Sequence, residues 1–184
     1  LLAFNAYMKA ELEPTREGQP ATNTITVLDG GAQYTDLITR NLKRLGYNPQ
    51  LLPLDTPFES IAGSDGFIIT GGPDDVFNPE SKRPDEQLWQ TDKPVLGICL
   101  GQQLMAQAFG GTVEPGRMRQ DAVIKTTVDQ GHPLFSQTKN VIEARFTHGN
   151  FVTHVPDDFD VIASHTLKDE EGNFEVISAI ANRN

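Results

Sequence analysis

The sequence predicts an α/β protein: a mostly parallel, doubly wound sheet flanked by helices, then an antiparallel, strand-rich C-terminal half. Three observations carry this. Apolar, β-branched runs alternate with helical patterns over the N-terminal half, the rhythm of a parallel sheet with right-handed crossovers. Glycine-rich turns follow directly on three of those runs, at Asp29-Gly30-Gly31, Thr70-Gly71-Gly72-Pro73 and around Cys99. After Phe109-Gly110-Gly111 the helical patterns stop, and short strand-like runs separated by Gly, Pro, Asp and Asn take over.

Taken in order, residues 1–23 read as an extension and linker. Phe4, Met8 and Leu12 repeat every four residues, predicting a short helix over 1–12, and Pro14, Gly18 and Pro20 interrupt 13–23. The domain proper is expected over 24–184. TITVL at 24–28 is a first strand. Tyr34, Leu37, Ile38, Leu42 and Leu45 then share one helical face, with Asp36, Arg40, Lys43 and Arg44 toward water. Gly46 stops that helix. A second strand follows at 48–54, a helical turn at 57–62, and a third strand, GFIIT, at 66–70. The polar loop 74–84 leads to a short helix over 84–90. The run 94–98 has the composition of a buried central parallel strand. From Leu100 the pattern is helical again, through Leu104, Met105 and Ala108. In the second half, strands are expected at 112–114, 123–128, 141–146, 160–163 and 174–180, and the acidic run 169–171 is a solvated turn before Gly172.

The 184 residues carry a net charge of -10, at a pI near 4.7. This length builds a full core, and the acidic balance argues against a nucleic-acid-binding surface. With one cysteine there is no internal disulfide, as in a reducing cytoplasm. No apolar stretch approaches membrane-spanning length. The apolar start at 1–4 lacks the basic flank and long core of a signal peptide. His132, His154 and His165 have no spacing that suggests a metal site and read as surface or structural residues.

The chemistry is expected at Cys99. A lone cysteine is ordinarily a small buried apolar residue. Here it stands between Gly97 and Gly101, at the step from strand to helix. That is the cysteine form of a nucleophile elbow, in which a tight turn presents one side chain at the top of the sheet. The N–H groups at the start of the following helix favour its thiolate. Gly72, at the same carboxyl edge, and Leu100, next to the sulfur, offer main-chain N–H groups to an oxyanion.

The segments LDGGAQYTDLI (28–38), IITGGPDDVF (68–77), KPVLGICLGQQLMA (93–106), FGGTVE (109–114) and THGNFV (147–152) occur in this order. Together they resemble the class I glutamine amidotransferase domain of the cysteine-triad type. The opening Gly-Ala-Gln-Tyr stretch and a hairpin at Arg119-Gln120-Asp121 make the chain most similar to the half found in GMP synthases. The resemblance implies a flavodoxin-like core and hydrolysis of L-glutamine to glutamate and ammonia through a Cys99 thioester. It places the oxyanion at Gly72 and Leu100, and substrate contacts at Gln103, Thr147, His148 and Gly149, the last three through main-chain groups. It further implies a cytoplasmic protein whose partner is an ATP-pyrophosphatase synthetase domain or subunit, where the ammonia aminates XMP to GMP. ATP and magnesium belong to that domain; no cofactor or metal is expected in this one.

The resemblance also shows departures. The family completes its triad with a histidine and a glutamate in a His-Pro-Glu run, following a strand that 174–181 resembles. No residue here matches either. The chain is therefore expected to be a fragment, inactive or weakly active alone. Asn150 stands where an acid is more usual. The alternatives are a non-catalytic binding or regulatory module, the amidotransferase component of anthranilate, aminodeoxychorismate or carbamoyl-phosphate synthases, or another cysteine hydrolase on a related sheet.

Overall fold

The computed structural model describes residues 23–116 and 118–183; of the helix and linker expected over 1–23, all but Asn23 lie outside them. The fold is α/β with a parallel sheet and an antiparallel C-terminal part, as the sequence predicts. The chain forms two compact units, one running to Met105 and the other from Ala106.

The first unit is built on a four-stranded parallel sheet in the order β2-β1-β3-β4. β1 is Thr24–Asp29, β2 Asn48–Pro53, β3 Gly66–Ile69 and β4 Val95–Gly97. β1 and β3 are interior strands, and their apolar residues Ile25, Val27, Leu28, Phe67, Ile68 and Ile69 are sealed from solvent in the core. Each such side chain contributes about 1.5–3 kcal/mol by burial. The chain leaves β1 toward one side for β2 and returns to the other side for β3. The crevice between the loops after β1 and β3 is thus the topological switch point, where α/β sheets of this order bind ligands.

Helix α1 (Thr35–Arg44) joins β1 to β2. Its apolar face is narrower than predicted: Ile38 and Leu42 are buried, whereas Tyr34 precedes the helix and, like Leu37, is exposed. Gly46 terminates it as expected, at φ 87°. Its N–H donates to Lys43 O and that of Tyr47 to Leu42 O, the pair of bonds that closes a helix through a left-handed residue. A four-residue helix, α2 (Phe58–Ile61), precedes β3. The helix predicted at 84–90 is a short 3₁₀ helix, Glu86–Gln90; Asp85 caps it and also ties it to α2. One Asp85 oxygen accepts from Gln87 N and the other from Phe58 N, each at 3.0 Å. These donors hold the Asp85 carboxyl below its usual pKa.

β4 departs from the expectation of a buried central strand. It lies at the end of the sheet, pairs only with β3 among the described residues, and is half-buried, with Ile98 exposed after it. Composition reports how apolar a strand is; which neighbours cover it is a tertiary matter.

After helix α3 (Leu100–Ala108), the second unit is antiparallel. β6 (Ala122–Val128), β7 (Val141–Phe146), β9 (Phe159–Asp169) and β10 (Gly172–Asn182) form a sheet ordered β10-β9-β6-β7. β5 (Thr112–Pro115) pairs with β8 (Asn150–His154). β8 was not expected, and β9 and β10 outrun their predicted ranges to form a long hairpin. Its turn is the predicted acidic one: Asp169 Oδ1 accepts from Glu171 N and Gly172 N. The hairpin predicted at 119–121 is absent. Those residues connect β5 to β6, which belong to different sheets.

Candidate active site

Cys99 is the one non-glycine described residue with positive φ, at 55°. An L-residue is disfavoured there by roughly 1–2 kcal/mol, and such strain persists only where surrounding structure imposes it. Three contacts impose it. Ile98 N–H donates to Ile69 O at 2.9 Å, holding the chain on β3 to the last residue before the turn. Gly101 N–H returns to Ile98 O, and Gln103 N–H opens α3 on Cys99 O. The flanking glycines are sterically required: a Cβ on Gly97 would lie 2.5 Å from Gly101 backbone atoms, and one on Gly101 2.5 Å from Ile69 O. Cys99 is in no disulfide and is half-buried, at the carboxyl edge of the sheet.

The loop after β3 lies against it. A Cβ built on Gly71 would stand 3.6 Å from Cys99 Sγ and 3.1 Å from its Cβ. The glycine that leaves room beside the sulfur is therefore Gly71. Gly72 is small for another reason: its Cβ would fall on Gly30 O. The two glycine turns interlock at the switch point. Gln103 is buried on α3, one turn past the cysteine, and Leu100, the first helical residue, is buried as well.

Sequence reasoning missed what sets these loops. Thr70 is fully buried, and its Oγ1 accepts from Gly30 N–H at 2.9 Å and donates to Gly71 O at 2.9 Å. Asp29 Oδ1 accepts from Gly31 N–H and from Thr35 Oγ1. The available signals were an Asx residue opening a turn and a threonine at a strand end.

In the second unit, Thr147, His148 and Gly149 form the turn between β7 and β8. Thr147 is exposed; His148 and Gly149 are partly buried. The His148 ring stands edge-on to Phe146 and Phe151, and its Nδ1–H donates to Asn150 O at 2.9 Å. Burial, assisted by the Arg119 guanidinium, pushes the imidazole pKa below its usual value, against the opposing effect of the Asn150 carbonyl. Among the described residues, no group of three or more His, Cys, Asp or Glu is placed to hold a metal ion, and no helix is long and apolar enough to cross a membrane.

Comparison with known proteins adds a second line of observation. The sequence model of the glutamine amidotransferase class-I family matches residues 26–183. Among curated proteins, the GMP synthase [glutamine-hydrolyzing] of Aliarcobacter butzleri is 34% identical over 162 residues, which are 87% of this chain and 31% of that protein. The protein of the same name from Bacillus subtilis is 37% identical over 142 residues, 76% of this chain and 28% of that protein. The chain thus spans less than a third of the length of these relatives. Among solved structures, a Thermoplasma acidophilum protein assigned as one subunit of a GMP synthase superposes with a TM-score of 0.72 at 24% identity, covering 88% of this chain and 79% of that one. A Thermotoga maritima glutamine amidotransferase superposes with a TM-score of 0.61 at 16% identity, covering 88% and 74%.

Proposed function

Because this chain belongs to the class I glutamine amidotransferase family, with a sequence related to the glutamine-hydrolysing half of GMP synthases, we propose that Cys99 attacks the side-chain carboxamide of L-glutamine. The sulfur adds to the carboxamide carbon, and the oxygen becomes an oxyanion between the N–H groups of Gly72 and Leu100. The carbon–nitrogen bond breaks, the nitrogen takes up the proton given up by the thiol, and ammonia leaves. Water then cleaves the γ-glutamyl thioester to glutamate and restores the thiol. Gln103 is the contact proposed for the amino-acid end of the substrate, and the family resemblance alone adds main-chain groups of Thr147, His148 and Gly149 as substrate contacts. The ammonia passes to a synthetase partner and aminates XMP, the coupling suggested by the relatives' names.

One observation carries this reading: Cys99 is held left-handed at the strand-to-helix step with its sulfur beside Gly71. The first turn of α3 brings the positive end of a helix to the same place, which stabilises negative charge on the sulfur. No residue of the sequence matches the family's triad histidine or glutamate, so thiol attack is the step this chain can be tested for. The diazo-ketone analogue of glutamine should alkylate Cys99 stoichiometrically. L-glutamine should protect against it, and Cys99→Ala should abolish it. Alkylation by iodoacetamide but not by the analogue, or no protection by glutamine, would refute the assignment.

A further inference from the structure

β2 lies at the end of the parallel sheet, with β1 on one side and, among the described residues, no strand on the other. The free side of an end strand is a row of unpaired N–H and C=O groups with which a second chain can pair. The hazard is concrete here. β2 is six residues long, its Leu51 side chain is 44% exposed, and Leu52 beside it is half-buried.

One bond shows which main-chain groups face outward. Asn48 N–H donates to Asn23 O at 2.9 Å, so the main chain of residue 48 points toward β1. Successive residues of a strand alternate in this respect. The parallel register runs without a shift from Thr24 opposite Asn48 to Asp29 opposite Pro53. Gln50 and Leu52 therefore also face β1, and Pro49, Leu51 and Pro53 face outward.

Proline has no N–H. Along the free edge, Leu51 thus offers an N–H while the outward positions on either side of it offer none. The acceptors are reduced as well. Pro53 O takes the Thr56 N–H at 3.1 Å and the Thr56 hydroxyl at 2.7 Å, inside the turn that follows the strand. An incoming strand, parallel or antiparallel, finds one complete donor–acceptor pair around Leu51 and no second donor beyond it. A single pair does not hold a strand, because each bond replaces one already made to water. On an interior strand these prolines would break a ladder; on this edge they cost no bond.

We infer that Pro49 and Pro53 close the free edge of the parallel sheet to strand addition, so that a second copy of this chain cannot extend the sheet there. Without them the exposed Leu51 and a full row of donors would make β2 a self-association site. The device belongs to the first unit alone and is independent of the chemistry at Cys99.

Replacing both prolines by valine restores the two N–H groups and keeps residues suited to a strand. In sedimentation velocity, the chain carrying Pro49→Val and Pro53→Val should show a weight-average mass that rises with concentration to at least about twice the parent's under the same conditions. Amide exchange locates the contact. Leu51 N–H should exchange rapidly in the parent and at least about tenfold more slowly in the associated variant, where it is bonded. Adding Leu51→Lys to the double variant should return the mass to the parent's, because a lysine on a free edge opposes pairing. Loss of proline's rigidity alone would lower stability and leave mass and exchange unchanged. A folded double variant with the parent's mass overturns the inference. So does association in which Leu51 N–H still exchanges freely, or which persists after Leu51→Lys. If circular dichroism shows that the double variant does not fold, Pro49→Val alone decides, since Pro53 also shapes the following turn. That variant should still exceed the parent's mass at the highest concentration, and an unchanged mass overturns the inference.

Discussion

At Cys99 the left-handed backbone and the thiol make opposite demands. A residue with a Cβ is disfavoured at φ 55°, and only presentation of a side chain explains a non-glycine there. Cys99→Gly should therefore be more stable than Cys99→Ala by about 1 kcal/mol in urea unfolding, since both lack the thiol and only one keeps the Cβ. Equal stabilities would mean that the turn is not strained. The two neighbouring glycines make a second, separable prediction. Gly71→Ala adds a methyl 3.6 Å from the sulfur, ordinary contact for the fold, and 3.1 Å from the Cys99 Cβ, which must give slightly. It should cost about 1 kcal/mol of stability while slowing analogue labelling at least roughly tenfold, because the methyl fills the space the substrate needs. Gly72→Ala meets backbone at Gly30 and should damage the fold itself.

At the scale of elements, the site depends on two loops being locked to each other. β1 and β3 are adjacent and parallel, with Leu28 opposite Ile69, so their following loops leave the sheet side by side. The Thr70 hydroxyl ties them together. Thr70→Val conserves shape but leaves the Gly30 N–H without its acceptor in a closed environment. Calorimetry should show a loss of about 1–3 kcal/mol, the cost of an unsatisfied partly buried donor. Analogue labelling should slow in the same variant, since Gly71 and Gly72 follow directly. A Thr70→Val chain with parent stability would show that the interlocked glycines suffice. Much at this scale was readable from sequence: the strands of the first unit, α1 and its Gly46 stop, and the elbow. The position of β4 at the sheet end was not, because an apolar run looks alike whether one side or both are covered. The strand β8 was missed because the turn residues Gly149 and Asn150 lead straight into it.

For the whole molecule, stability should depend on pH in a stated direction. His132, His148 and His165 all have folded pKa values below the ordinary histidine value, with burial as the first cause. The folded chain thus binds fewer protons than the unfolded one below about pH 6.5, and stability rises with pH there. The contribution is full above the unfolded histidine pKa and is lost as pH falls through it toward the folded values. The lowered carboxyls of Asp55, held by Lys82, and Asp160, held by Arg183, act in the same sense in a more acidic window. Thermal midpoints should drop between about pH 7 and pH 5. His165→Gln should flatten part of that drop; a pH-independent midpoint would contradict the buried neutral state of these rings.

The sequence by itself determined the fold class, the order of the elements and the cysteine that organises the first unit, because each is written in local terms: period, turn chemistry and a glycine on either side of one residue. Only the tertiary structure decided which glycine stands beside the sulfur, how Thr70 and Asp29 set the loops, and that Gln120 and His165 meet in the interior. Those are contacts between residues far apart along the chain, and their choice of partner is made by strand register and by what each buried polar group can reach for a hydrogen bond, neither of which any single segment carries.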